Sequence, residues 1–184
     1  MKNSIITLVL IMAFSFSAFA QTDNKLVSKK THFKFYSHTA VEDIEANNYS
    51  SVGTINTNTG EIIFSVPMQS YEFEKAKMQQ HYNSAKFLNT KKFPKSKLKG
   101  KISNLDDVDF ISDGSYKTNI EGELTIHGVT NKVNEEISIT VNGSNVVLNT
   151  SFKLTLADYE IAFKDGKPST NIAKEIEITV IAEY

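Results

Sequence analysis

The residues whose types and spacing bear on chemistry are four histidines, a run of aspartates, a pair of glutamates and a row of lysines. A zinc site needs three or four convergent ligands, and the one close pair, His32 and His38, is six residues apart, which is no recognised ligand spacing. His127 precedes Gly128, a place where an imidazole at a strand end hydrogen-bonds backbone, and His81 adjoins Tyr82. Asp106-Asp107-Val108-Asp109, with Asp113 nearby, lacks the alternating aspartates, central glycine and closing glutamate of a calcium loop and reads as a solvated acidic turn. Glu135 and Glu136 are adjacent, so in a strand they fall on opposite faces and cannot share one site. No Gly-x-Ser-x-Gly and no phosphate-binding glycine loop occurs. With zero cysteines, thiolate chemistry and disulfides are excluded as well. The chain reads as a non-enzyme with no cofactor and no metal.

Lys86, Lys91, Lys92, Lys95, Lys97, Lys99 and Lys101 form a basic row that suits transient contact with an anionic membrane surface or a charged lipid head. The plainer reading is a solvated strand face whose charges discourage edge pairing. From Lys95 to Ile102 the lysines alternate with Ser96, Leu98, Gly100 and Ile102, so every cation points one way and the small or apolar residues the other. A net charge of −1 provides no global field to gather nucleic acid, and Leu98 and Ile102 turn inward, away from any strand laid on the surface. Every basic residue is a lysine, so there is no guanidinium to clamp a phosphate or carboxylate in bidentate fashion.

These residues are positioned by a chain with the texture of a β protein. Its short alternating runs are separated by turn signals and place strands over 29–37, 47–56, 61–68, 95–103, 115–127, 133–141, 146–156 and 174–184. Thr57-Asn58-Thr59-Gly60 predicts a hairpin turn, with Gly supplying the positive φ. Asp113-Gly114, Gly128 to Lys132, Asn142-Gly143 and Asp165 to Pro168 separate the later strands. Between Tyr71 and Ala85 the apolar residues follow a helical period instead, which predicts one helix of about four turns. Eight strands with one apolar face cannot stay open with a single helix to cover them. A sandwich or a closed barrel solves this, and eight is the count at which a barrel either fills itself or holds one ligand.

The N-terminus reads separately. Lys2 followed by the apolar run Ile5–Phe19 and the small-x-small site Ala18-Phe19-Ala20 predicts a signal peptide over residues 1–20, cleaved before Gln21. That implies export, to the periplasm or beyond the cell. Residues 21–184 then form one domain, of net charge −2 once Lys2 has left.

Five stretches together resemble the YceI family of secreted, lipocalin-like, polyisoprenoid-binding proteins. They are Thr57–Phe64, Met78 to Asn83, Phe87 with Lys92-Phe93-Pro94, Gly122 to Gly128 with Val129-Thr130, and Phe152 to Leu156 with Asp158-Tyr159. The resemblance covers Lys29 to Tyr184. It implies an all-β, eight-stranded antiparallel barrel with one helix near the mouth, and a lumen that accommodates an isoprenoid or other long-chain lipid. The residues expected to line it are Phe64, Met68, Phe73, Met78, Phe87, Leu98, Leu124, Ile126, Phe152 and Leu154. In this picture the tail enters at the mouth near the helix and the head stays at the rim. The rival is a ligand-free envelope module that binds a partner through its loops or lysine face.

Overall fold

The computed structural model describes residues 24–161 and 172–184, with backbone alone at 163–164 and 167–168; the expected signal peptide and the turn at 165–166 lie outside it. The strands are β1 (Lys25–Val27), β2 (Lys30–His38), β3 (Asp43–Asn48), β4 (Val52–Asn56), β5 (Glu61–Pro67), β6 (Glu72–Phe73) and β7 (Lys95–Ile102). They continue as β8 (Gly114–Ile126), β9 (Val129–Asn142), β10 (Asn145–Thr155), β11 (Phe163–Lys164), β12 (Lys167–Pro168) and β13 (Glu175–Glu183), with helix α1 at Ala76–Asn83. Eleven of these strands form one antiparallel sheet in the order β1-β4-β5-β7-β8-β9-β10-β13-β2-β3-β6, and β11 pairs with β12.

Register shows how that sheet closes. The offset that pairs Lys25 with Asn56 between β1 and β4 is the offset that pairs Phe33 with Asn48 between β2 and β3. Between those two ladders the Ser28 amide donates to the Gly53 carbonyl at 2.8 Å. Thus β1–β2 is one bent strand and β3–β4 another, and together they form a single long hairpin. Its upper half pairs through β2 with β13 and its lower half through β4 with β5, which joins the two ends of the meander. The result is eight long strands, the number the patterning predicts, in a closed ring, the barrel that the family resemblance implies and not the sandwich that patterning left open. The higher segment count reflects two bends and the added two-residue β6.

The bends leave a mark on burial. Thr31, Phe33 and Ser37 are buried from one parity of β2, whereas β1 packs Leu26 inward from the other. Along β3–β4 the buried set switches from Ala46 and Asn48 to Ser51 and Ile55. Asn48, with no exposed surface, holds the bend. Its Nδ2 donates to the Pro67 carbonyl (2.8 Å), while its Oδ1 accepts from the Ser50 amide (2.9 Å) and the Ser51 hydroxyl (3.0 Å). Asn48→Ala removes the partner of the buried Ser51 hydroxyl and of the partly buried Pro67 carbonyl and Ser50 amide, and we expect a loss of about 2 kcal/mol in urea unfolding.

Two turns follow their sequence signals. Asn56 Oδ1 accepts from the Asn58 and Thr59 amides, both at 3.0 Å, and Gly60 takes a φ of 70°. His127 and Gly128, with φ of 53° and 83°, make a two-residue turn closing the Ile126–Val129 pair. That turn is tighter than the five-residue connection expected, so β9 begins at Val129 rather than Val133. The helix is shorter than expected too. Glu72 and Phe73 pair with Asn47 and Ala46 of β3, so sheet hydrogen bonds claim the residues that would have formed its first turn.

Candidate functional site: the barrel lumen

Inward alternation lines the ring with apolar side chains. Ile139, Leu148 and Ala182 are fully buried and, with Ile55, Ile62 and Tyr184, form the core. At the other end Tyr82 of α1 turns its ring into a cluster with Phe35, Tyr71 and Phe73, centroids 4.9–5.9 Å apart. This cluster anchors the helix over the mouth. Phe93 packs edge-on to His127 at 4.6 Å and against Gly128, where any Cβ would lie 2.6 Å from the Phe93 ring. Two of the five stretches that carry the family resemblance therefore meet at this rim.

Between core and helix the side chains leave two adjoining cavities, about 110 Å³ beneath α1 and about 90 Å³ deeper in the ring. Tyr71, Ser96, Ile126, Leu154 and Ile178 line both, so the two spaces meet there. All ten residues nominated from the sequence stand on these walls. Met68, Phe73, Met78 and Phe87 line the upper cavity, Phe64, Leu98, Leu124 and Phe152 the lower, and Ile126 and Leu154 both. Tyr71, Ser96, Glu135, Thr150 and Ile178 were not among them. Ser96 and Thr150 carry the parity signal but are polar, and nothing local says that they face space.

The phenols of Tyr71 and Tyr82 are held neutral far into the alkaline range, chiefly because burial penalises the phenolate. Burial also raises the Glu135 carboxyl above the ordinary carboxylate range. Among the described residues no lysine lines either cavity.

The wall is not paired all the way up. The β9–β10 ladder runs only from the Asn142–Asn145 pair to the Ser138–Asn149 pair. Above it the Thr150 hydroxyl donates to the Glu136 carbonyl (2.6 Å), and further on the Asn131 amide side chain donates to the Asp158 carbonyl (2.7 Å). From Asn131 to Glu136 no ladder pair joins β9 to β10, an unpaired window about 16 Å long at the usual rise per residue. The half-buried side chains of Val133, Glu135 and Phe152 stand at this window and also line the lower cavity.

Of the lysine row, Lys95, Lys97, Lys99 and Lys101 lie on the outer face of β7, which is an interior strand between β5 and β8 and not an edge, so protection against edge pairing does not explain them. Glu61 and Glu121 flank Lys101, and Glu123 stands opposite Lys99, whose ammonium is 3.8 Å from Glu61. Carboxylates offset the lower half of the row, leaving Lys95 and Lys97 beside Pro67, Ser65 and Thr125 near the mouth. His127 Nδ1 lies 3.4 Å from the Tyr159 carbonyl, and His32 Nε2 2.7 Å from Asn47 Oδ1. Among the described residues no group of three His, Cys, Asp or Glu side chains is arranged to hold a metal ion.

The family model of the YceI-like domain matches residues 24–184. The chain belongs to the YceI-like family. Solved structures share the fold at low identity. Burkholderia cenocepacia BcnA superposes with a TM-score of 0.69 at 14% identity, covering 84% of this YceI-like chain and 96% of its own. A polyisoprenoid binding domain from Saccharophagus degradans, implicated in plant cell wall breakdown, gives 0.73 at 11%, covering 88% and 97%. The Campylobacter jejuni YceI protein gives 0.60 at 17%, covering 80% and 87%. No curated protein matches the sequence.

Proposed function

We propose that this YceI-like chain is an exported lipid-binding protein that holds the tail of an isoprenoid or similar long-chain ligand in its lumen and carries or stores it in the envelope space, most simply the periplasm. One observation carries this: two adjoining apolar cavities in a barrel small enough to have filled itself. Each buried methylene contributes about 0.8 kcal/mol, so affinity grows along the tail without any charged contact. The ten inward residues, Phe64 through Leu154, supply that surface. Each cavity has the scale of engineered cavities that take one aromatic ring. A longer tail is admitted by rotation of Met68 and Met78, whose unbranched side chains adapt at low cost. Support also comes from the family itself and from the Saccharophagus domain, whose name records polyisoprenoid binding.

Native mass spectrometry of the protein purified from its own envelope, followed by organic extraction, is the direct test. A stoichiometric adduct, with an isoprenoid mass ladder in the extract, is the expected result. An apo mass after gentle purification would overturn tail binding and return attention to Lys95 and Lys97 near the mouth. N-terminal sequencing of the same sample checks export, with Gln21 as the expected first residue.

A further inference from the structure

Glu135 is the lumen residue that tail binding leaves unexplained. Among the described residues it is the one Asp, Glu or Lys side chain lining either cavity, and it forms no ion pair. A hydrocarbon laid against it strips water from a carboxylate and returns no hydrogen bond, a costly arrangement. Its neighbours do not neutralise it. Ile120 stands opposite on β8, Val133 and Ile137 flank it on β9, Thr150 and Phe152 face it from β10, and Tyr159 approaches from the 3-10 turn after β10. The Thr150 hydroxyl already donates to the Glu136 carbonyl, so it has no proton left for the carboxylate.

The surroundings of Glu135 are polar in a second way. Where the β9–β10 ladder ends, both strands present backbone amide and carbonyl groups to the window without a ladder partner. A ligand end with hydrogen-bonding capacity is therefore served here by a carboxylate and by backbone groups, whereas the upper cavity, among its aromatic rings, methionines and isoleucines, holds the unpartnered Tyr82 hydroxyl, Ser37 and His81 but no carboxylate.

We propose that Glu135 and the window rim are the head-group subsite of the lumen, taking a lipid whose head is an uncharged hydrogen-bond donor, a hydroxyl, and turning away carboxylates and phosphates. This rests on the tail-binding reading and reverses the expected pose, placing the head at the window and the tail under α1. The hydroxyl donates to the Glu135 carboxylate and accepts from backbone amides of the rim. A phosphate or fatty-acid head at the same place meets a like charge, and among the described residues no lysine lines the lumen to offset it.

The test is displacement of a fluorescent apolar probe at neutral pH by geranylgeraniol and by geranylgeranyl monophosphate. The proteins are the wild type, Glu135→Gln, Glu135→Lys and the rim control Lys92→Glu/Lys95→Glu, each checked for fold by circular dichroism. We expect the wild type to prefer the alcohol by about tenfold, given one like charge close by in a partly dried site. The preference should shrink to roughly threefold or less in Glu135→Gln and invert in Glu135→Lys, while the rim control leaves it unchanged. Because glutamine is isosteric, that variant keeps the test meaningful even where the lysine one misfolds. Binding of both lipids with a ratio indifferent to position 135, or one moved by the rim lysines instead, overturns the subsite and leaves tail binding standing. Failure of either lipid to displace the probe from the wild type overturns tail binding, and the subsite with it.

Discussion

Gly122→Ala is expected to lower the melting temperature by roughly 6–12 °C, the shift produced by about 3 kcal/mol in a domain of this size. Gly122 of β8 stands directly opposite Gly100 of β7. A Cβ on Gly122 would lie 2.4 Å from the Gly100 Cα and 2.4 Å from the Lys99 carbonyl oxygen, and one on Gly100 would meet the Glu121 carbonyl at 2.8 Å. The obstacles to a Cβ on Gly122 are backbone, so no side-chain rotation relieves them. The strands must move apart, against a ladder that runs from Lys97–Thr125 to Ile102–Ile120. Gly143 is the control. It takes a positive φ of 58° in the β9–β10 turn but has nothing within 4 Å of its would-be Cβ, so alanine there costs only about 1 kcal/mol of backbone strain. Thermal unfolding followed by circular dichroism separates the two. Equal melting temperatures for both variants would mean that β7 and β8 do not approach this closely.

Ser96→Phe is expected to empty the protein of lipid while leaving it folded. Ser96 is buried, faces inward between the outward lysines 95 and 97, pairs with Val66 and lines both cavities at their junction. A phenyl ring there occupies the passage that a tail uses to reach from one cavity to the other. Displacing about four methylenes, at about 0.8 kcal/mol each, weakens binding on the order of 100-fold. Because the ring enters open space and not packed side chains, the melting temperature should stay within about 4 °C of the wild type, the equivalent of roughly 1 kcal/mol. Extraction and lipid quantification after purification provide the readout. A full lipid complement in the folded variant would show that the tail does not cross between the cavities.

The two predictions differ in how far the sequence anticipates them. Gly100 and Gly122 are visible as glycines in alternating strands, but nothing local says that they face each other at backbone contact. Ser96 carries the inward parity, yet its hydroxyl marks it as filler and not as the doorway between two spaces. The helix was legible in kind and not in length, because Phe73 and Glu72 answer to β3, to Ala46 and Asn47 respectively, 27 and 25 residues earlier. Asn48 reads as one asparagine in an Asn-rich stretch, and only the fold shows that its three hydrogen bonds tie the end of β3 to Ser50 and Ser51 in the bend and to Pro67 of β5.

What the sequence by itself determined was every property with a period of two residues. The number of long strands, the inward faces between bends, the outward lysines and the turns at Asn56–Gly60 and Asn142–Gly143 follow from alternation and from asparagine–glycine chemistry, whereas the parity switch at the two bends and the tight turn at His127–Gly128 do not. The inward placement of Phe64, Met68, Leu98, Leu124, Ile126, Phe152 and Leu154 follows from alternation too, whereas Phe73, Met78 and Phe87 came from the family resemblance. Tertiary structure alone decided distance and closure. Alternation states which side a residue faces, but not how far away the opposite wall stands, so it cannot separate a packed core at Leu148 from an open cavity at Leu98. Nor does any local signal record that β2 meets β13, with Lys30 beside Glu183, or that the β9–β10 ladder stops at Ser138 and leaves Glu135 at a window. These depend on where strands far apart in the chain begin and end their hydrogen bonding. Strand tilt and bends set that only once the ring has closed.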